Sequence, residues 1–190
     1  MKIKIASRSS KLALKQVEEF NKTFSIENYD LIKVSTKGDE LSAKGKTLFD
    51  KGNFVTDIEE LLLNNSVDVA IHSAKDMPAK KTLGLKHLYF IENPERKIKD
   101  LLIFRKDKEA NFESHMKIGT SSLRRKMQAR FHMDAANIKS LNGNIDTRIQ
   151  KLNDGQYDCI ILAEAGLSRL NFLLQDLNYV RLDHKTCSGQ

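Results

Sequence analysis

A chain of 190 residues with 40% hydrophobic content holds enough apolar material for one ordinary core or two small ones. Its formal charge of +7, from 32 basic and 25 acidic residues, points to an anionic partner and is too mixed in sign for a nucleic-acid tail. Aromatic residues are only 7% and are not interleaved with the basic motifs, which ranks nucleic-acid binding last, and no apolar run approaches a membrane span.

The N-terminus, Met1 to Arg8, alternates apolar with polar residues, a strand pattern unlike a signal peptide, so a cytoplasmic protein is expected. Strand character recurs at Ile3 to Ala6, Leu31 to Ser35, Val67 to His72, Leu101 to Arg105, Ile138 to Leu141 and Asp158 to Ala163. Helical spacing fills the gaps. In Lys11 to Phe24 the residues Leu12, Gln16, Val17, Phe20 and Phe24 share one side, and Lys15, Glu18, Glu19 and Lys22 the other. Phe54 to Asn64 turns Ile58, Leu61 and Leu62 inward, a third helix opens at Ser121-Ser122 and carries Leu123, Met127 and Phe131, and a fourth runs from Ile145 to Leu152. Strands alternating with helices predict an α/β fold with largely parallel sheets. Pro94, one of only two prolines, sits in the polar stretch Asn93-Pro94-Glu95-Arg96-Lys97 and marks a domain linker. A second alternation follows it, with no residue-level repeat of the first. The two cysteines, Cys159 in an apolar strand and Cys187 near the end, lack metal or disulfide spacing and are expected reduced.

Ligands of parallel α/β sheets bind beyond the carboxyl ends of the strands. There, Ser7-Arg8-Ser9-Ser10 leads from the first strand into a helix, where free N–H groups, the helix dipole and a guanidinium favour an anion. Taken alone, that segment favours a plain N-cap at Ser9 or Ser10 with a solvated Arg8. The arrangement recurs in Ile118-Gly119-Thr120-Ser121-Ser122-Leu123-Arg124-Arg125, whose adjacent arginines have no evident structural need. Arg148, after Leu141-Asn142-Gly143-Asn144, and Arg169, after Ala165-Gly166-Leu167, follow strands in the same way. Lys outnumbers Arg 23 to 9, so five of nine arginines at such positions is a bias toward the residue with a planar fork for carboxylates. Val67 to Pro78 is the most specific segment: an apolar strand ending abruptly in His72-Ser73-Ala74-Lys75-Asp76. His72 alone reads as a core histidine and Lys75-Asp76 alone as a surface pair; together they set a carboxylate among cations, where its proton affinity is tunable.

His72-Ser73-Ala74-Lys75-Asp76-Met77-Pro78 resembles the H-S-x-K-D-x-P signature of the porphobilinogen deaminase family, and Gly119 to Arg125 its G-T-S-S-L-R-R. Arg8 to Leu14, Thr36-Lys37-Gly38-Asp39, Gly155-Gln156-Tyr157-Asp158 and Ala165-Gly166-Leu167 are similar to further family elements in the same order, so the likeness spans the chain. The resemblance implies two lobes of mixed, mainly parallel sheet flanked by helices, periplasmic-binding-protein-like with a cleft between them: residues 1–94 and 95–184, with 185–190 beginning a return to the first lobe. It implies a monomeric transferase of heme biosynthesis that condenses four porphobilinogens into hydroxymethylbilane with release of ammonia, primed by dipyrromethane. Carried over residue by residue, Asp76 is catalytic, and Arg8, Ser10, Lys51, Lys75, Thr120, Ser121, Ser122, Arg124, Arg125, Asn144, Arg148 and Arg169 bind cofactor and substrate carboxylates. No metal or membrane enters this reading.

Three departures accompany the likeness. Thr56 stands where the family's loop has its second lysine, and Asn142 where the family's L-R-G-N turn has its arginine. No residue matches the family's cofactor-bearing cysteine, so the chain is expected to be a fragment without the third domain and inactive alone. The competing reading is a non-catalytic two-lobed anion-binding module, against which Asp76 argues, because a carboxylate among the cations weakens binding of carboxylates.

Overall fold

The computed structural model describes residues 2–43, 55–78, 80–89 and 99–183. The chain divides into two compact units, Met1–Pro94 and Glu95–Gln190. Lys51, Phe54, the stretch around Pro94, Cys187 and the segment 185–190 lie outside the described residues.

The first unit is built on three parallel strands, β1 (Ile3–Arg8), β2 (Tyr29–Val34) and β3 (Val69–Ala70), in the order β2-β1-β3. Parallel neighbours need crossovers, supplied by α1 (Lys11–Thr23) between β1 and β2 and by α2 (Lys37–Ala43) and α3 (Thr56–Leu63) before β3. The period of two along β1 divides the core: Ile5 packs with Val17 of α1 and with Ile71, while Ala6 packs with Ile58 of α3 and with Val67. α1 buries Ala13, Val17 and Asn21, whereas Phe24, expected on the inner side, is 53% exposed at the helix end.

The second unit holds β4 (Asp100–Phe104), β5 (Lys117–Gly119), β6 (Asn137–Lys139), β7 (Cys159–Ala163) and β8 (Asn178–Arg181), in the order β6-β5-β7-β4-β8. α4 (Leu123–Met133) joins β5 to β6, α5 (Ile145–Asn153) joins β6 to β7, and α6 (Glu164–Arg169) follows β7. β6, β5 and β7 run parallel, but β4 is antiparallel to both its neighbours, so the α/β class is as expected with a mixed second sheet. All five residues of β4 are buried, with Leu102 and Phe104 in one core and Leu101 and Ile103 in the other, which is why this strand reads as a continuous apolar run. β8 escaped the sequence reading because it is a half-exposed edge strand; Arg181 ties it to the buried Glu164 of α6 by bonds of 3.0 and 3.2 Å.

The units share more than their strand order. In the first, the Asp68 carboxylate accepts the Lys4 N–H at 2.8 Å and the Asp68 N–H donates to the Lys4 carbonyl at 2.9 Å. In the second, Asp158 does the same with Lys117, at 2.8 and 3.0 Å. Each aspartate immediately precedes the third strand of a parallel trio, β3 or β7, and fixes its register on the first, β1 or β5, a residue-level repeat that sequence inspection did not find.

One helix turns its apolar residues outward. Leu123, Met127 and Phe131 of α4 are 58, 56 and 83% exposed, and the face turned inward carries Arg125 and Ala129. The cause is a buried carboxylate, described below.

Gly119 closes β5 where the chain turns into its polar loop. A Cβ there meets Tyr157 at 2.8 Å, Ile160 at 3.0 Å and Leu141 at 3.1 Å, all core side chains. Gly119→Ala is therefore expected to destabilise the second unit by about 1–3 kcal/mol through overpacking, read as a lower midpoint in urea unfolding with unchanged slope.

Candidate functional site

Parallel pairing brings the carboxyl ends of β1, β2 and β3 to one edge of the first sheet. Arg8 ends β1 in register with Val34, which ends β2, and Thr36 to Asp39 follow directly. Arg8 accordingly meets Asp39: Nε donates to Oδ2 at 3.2 Å and Nη2 pairs with Oδ1. Burial alone raises the Asp39 carboxyl, but hydrogen bonds from Arg8 and from the Thr36 hydroxyl at 2.7 Å outweigh it and hold the group below its ordinary value. The third nitrogen, Nη1, lies 3.9 Å from Oδ2 of Asp76, whose side chain is 38% exposed. Asp76 closes a 3₁₀ turn, Ala74–Asp76, and its N–H donates to the Ser73 carbonyl at 2.9 Å. Lys75 in the same turn is exposed. Ser10 is the N-cap of α1, accepting the Ala13 N–H at 3.3 Å. The plain capping alternative thus holds for Ser10, while Arg8 is paired and not merely solvated.

Asp100 organises the second unit. It has no exposed surface, begins β4, and lies opposite Ala163, the last residue of β7. Arg125 grips it with Nε at 3.0 Å and Nη2 at 2.6 Å, Arg124 adds Nη2 at 3.0 Å, and the remaining Nη1 of Arg125 donates to the Ile161 carbonyl at 3.3 Å. The two arginines therefore have the structural partner that the sequence reading denied them. Arg124 also donates to Gln128 at 2.7 Å. Ser122 caps α4, Thr120 is buried and accepts the Ser122 N–H at 3.2 Å, and the Ser121 hydroxyl reaches the Leu141 carbonyl and the Asn142 side chain.

Arg148 differs from the other arginines. Its Nε donates to the Gly143 carbonyl at 2.6 Å, and among the described residues that is its one hydrogen-bond partner. Burial, and then repulsion from Arg125, push its pKa down to about 10. Gly143 holds φ at +110°, and a Cβ there meets Thr147 at 2.8 Å, so only glycine lets the turn approach α5 closely enough for this contact. Asn144 stands at the N-cap position of α5 without a capping bond. Arg169 closes α6, a helix away from the end of β7 and not directly after it as expected.

Arg124 and Arg125 thus gather around one carboxylate, with Arg148 near enough to Arg125 to be repelled by it, while Arg8 and Asp76 meet in the first unit. The sequence reading named Asp39 only within a family element, without a role, and missed Asp100. The place of Asp39 was legible, five residues past the end of β2, which neighbours β1; Asp100, beside an apolar run, carried no signal. Cys159 is fully buried, and burial followed by the Asp158 charge pushes its thiol up to about 12, so it offers no thiolate. Among the described residues no helix is long and apolar enough to cross a membrane, and no group of His, Cys, Asp and Glu is arranged to hold a metal ion.

The family profile described as "Porphobilinogen deaminase, dipyromethane cofactor binding domain" matches residues 3–188. The chain is 40% identical to a probable porphobilinogen deaminase of Methanocaldococcus jannaschii, covering 95% of this chain and 62% of that one. It is 40% identical to the porphobilinogen deaminase of Streptococcus sanguinis, covering 94% and 60% respectively. The chain thus spans about 60% of the length of these curated relatives. Among solved structures it is similar to a probable amino-acid transporter extracellular-binding protein, ytmK of Bacillus subtilis, with a TM-score of 0.48 and 10% identity over 96% of this chain and 78% of that one.

Asp100→Asn keeps the shape but leaves two arginines around a neutral amide. We expect a loss of about 3–5 kcal/mol in denaturant unfolding, the range for breaking a buried pair, and a smaller loss for Arg124→Gln, whose side chain is 31% exposed. The first unit is expected to weaken in acid in two steps. His72 is held below its ordinary 6.5, chiefly by burial, with Arg8 and His87 adding to the effect and Glu59 and Asp76 opposing it. The stability contributed by its neutral form is therefore present above the unfolded value and lost as pH falls through the lower folded one. Asp39, lowered from 3.8, gives the second step as pH falls through its folded value. Stability measured against pH should lose the upper step in His72→Gln and keep the lower.

Proposed function

The chain belongs to the porphobilinogen deaminase family, and from that footing we propose that its strand-end cations bind the carboxylates of dipyrromethane and of a growing pyrrole chain while porphobilinogen is condensed to hydroxymethylbilane with release of ammonia. The observation that carries this reading is Arg148. Two guanidiniums already engage the Asp100 carboxylate at the edge of the second sheet, and a third, Arg148, whose side chain holds only a backbone carbonyl among the described residues, is pushed down to about 10 by burial and by repulsion from Arg125. A carboxylate brought to that edge relieves both penalties, through a charge-assisted bond of about 1.5–3 kcal/mol.

Dipyrromethane is the cofactor of this family, and a molecule bearing several carboxylates suits that surplus of positive charge. When bound, it supplies the primer to which further pyrroles are joined. In this reading Arg148, Arg124 and Arg169 hold its side chains, and Thr120, Ser121, Ser122 and Asn144 offer hydroxyl, amide and N–H groups beside them. Arg125, engaged with Asp100, contributes its charge to the local field. In the first unit Arg8, Ser10 and Lys75 face the same kind of ligand, and Lys51 joins them by resemblance. Asp76 is the catalytic residue: its part-exposed carboxylate accepts pyrrole N–H groups and stabilises the positive charge that develops on porphobilinogen as the amine leaves. The same reading has the protein working as a cytoplasmic monomer, in keeping with a small polar substrate and with the unpaired thiol of Cys159.

Two substitutions separate binding from chemistry. Arg148→Gln should weaken porphobilinogen binding, measured by calorimetry, roughly tenfold or more; an unchanged affinity removes the central support. Asp76→Asn should leave that affinity nearly intact and, in a form of the protein that carries the family's cofactor-bearing cysteine, lower hydroxymethylbilane formation by at least about a hundredfold. Near-normal formation refutes the role of Asp76, and binding without any formation by that cysteine-bearing form returns the protein to the class of non-catalytic anion binders.

A further inference from the structure

Behind the Asp76 segment, the first unit buries a carboxylate that the reading above does not use. Glu59 of α3 is 8% exposed. Its Oε2 accepts the Thr82 hydroxyl at 2.7 Å, while Oε1 is buried without a hydrogen-bond partner, 4.0 Å from Nε2 of His87, which lacks one as well. Nε2 of His72 is a further buried polar atom with no hydrogen-bond partner. A carboxylate removed from water costs several kcal/mol unless donors or a cation meet it. The groups at hand are imidazoles with donors to spare.

The placement of these residues along the chain is what gives Glu59 a purpose. His72 heads the segment that carries Asp76, and Thr82 and His87 follow it. The segment's regular structure after β3, among the described residues, is the short 3₁₀ turn Ala74–Asp76, so its position has to be fixed from its flanks. Charges from several elements act on the His72 ring: Glu59 from α3, Arg8 from β1, Asp76 from its own segment and His87 from the following loop.

We propose that Glu59 is a positioning residue for Asp76, its Oε1 drawing the Nε2–H groups of His72 and His87 toward it and so pinning both flanks of the Asp76 segment to α3. The importance of Asp76 rests on the function proposed above, but the cluster itself can be measured without any substrate.

The test uses the full chain carrying ¹³C-labelled histidine rings, with the His72 signal assigned from its loss in His72→Gln. Glu59→Gln keeps the side-chain shape and removes the charge. The His72 titration midpoint should then fall by roughly half a pH unit or more, and the backbone amide signals of residues 72–76 should shift. His87→Leu removes the opposing imidazole and should move the His72 midpoint upward. A midpoint and amide signals that stay in place in Glu59→Gln overturn the proposal. Should that variant fail to fold, His87→Leu decides alone, the upward shift supporting the proposal and its absence overturning it. If the unmodified chain does not bind porphobilinogen, the functional reading falls while the His72 signals still decide the role of Glu59.

Discussion

A carboxylate with no exposed surface has to be neutralised where it lies, and in the second unit that carboxylate is Asp100. Its place at the start of β4, opposite the end of antiparallel β7, sets the charge at the edge where the parallel strands finish. Arg125 must therefore point inward from α4, and the helix rotates with it, which turns Leu123, Met127 and Phe131 outward against the ordinary preference of apolar side chains. Leaving Asp100 buried without its guanidinium would cost about 3–5 kcal/mol, which offsets much of the loss from part-exposing an apolar stripe, at roughly 1.5–3 kcal/mol per large side chain if fully exposed. Arg124 is drawn to the same carboxylate, and Arg148 is left facing a positive neighbour. The surplus charge of the site is thus two arginines on one buried aspartate, with Arg148 held only by a backbone carbonyl among the described residues.

The first unit solves the same problem with different residues. Three parallel strands bring Arg8 beside Asp39, and the pair is half-buried, so Arg8 keeps a nitrogen directed at Asp76. Beneath this difference the two units use one device: an aspartate just before β3 or β7, bonded through both its carboxylate and its N–H to the residue preceding the paired position of β1 or β5. Register errors of a single residue would carry every strand-end side chain to the opposite face. The device thus secures the placement of His72 to Asp76 after β3 and of α6 after β7.

Much of this was legible in the sequence. Alternation gave β1 and β2, continuous apolarity gave β4 and β7, and hydroxyl residues ahead of helices gave the caps at Ser10 and Ser122. What was not legible shares one cause. Hydrophobic periodicity records which residues prefer to leave water, and it is blind to pairing between charges distant in sequence. Arg125 and Asp100 are 25 residues apart, so the spacing of Leu123, Met127 and Phe131 did not show which face of α4 turns inward. Glu59, between Ile58 and Leu61, is buried by a helix whose apolar pattern gives no hint of it. β8 was missed for the complementary reason, since an edge strand held by pairing on one side needs no apolar run.

The family's arginine at position 142 invites a further step. Its replacement by Asn142 suggests a weaker hold on anions, but the turn shows how the position is used. The Asn142 side chain accepts the Ser121 hydroxyl at 2.7 Å, tying the loop after β5 to the loop after β6. Its carbonyl accepts Nζ of Lys151 at 3.1 Å, and the next carbonyl, Gly143, accepts Arg148. Two cations from α5 therefore meet adjacent carbonyls of this turn. Neither contact uses a side chain at position 142, so the positive charge here is fixed by the helix that follows. A residue at 142 adds to that charge or, as asparagine does, spends itself on joining the two loops that carry Ser121 and Gly143.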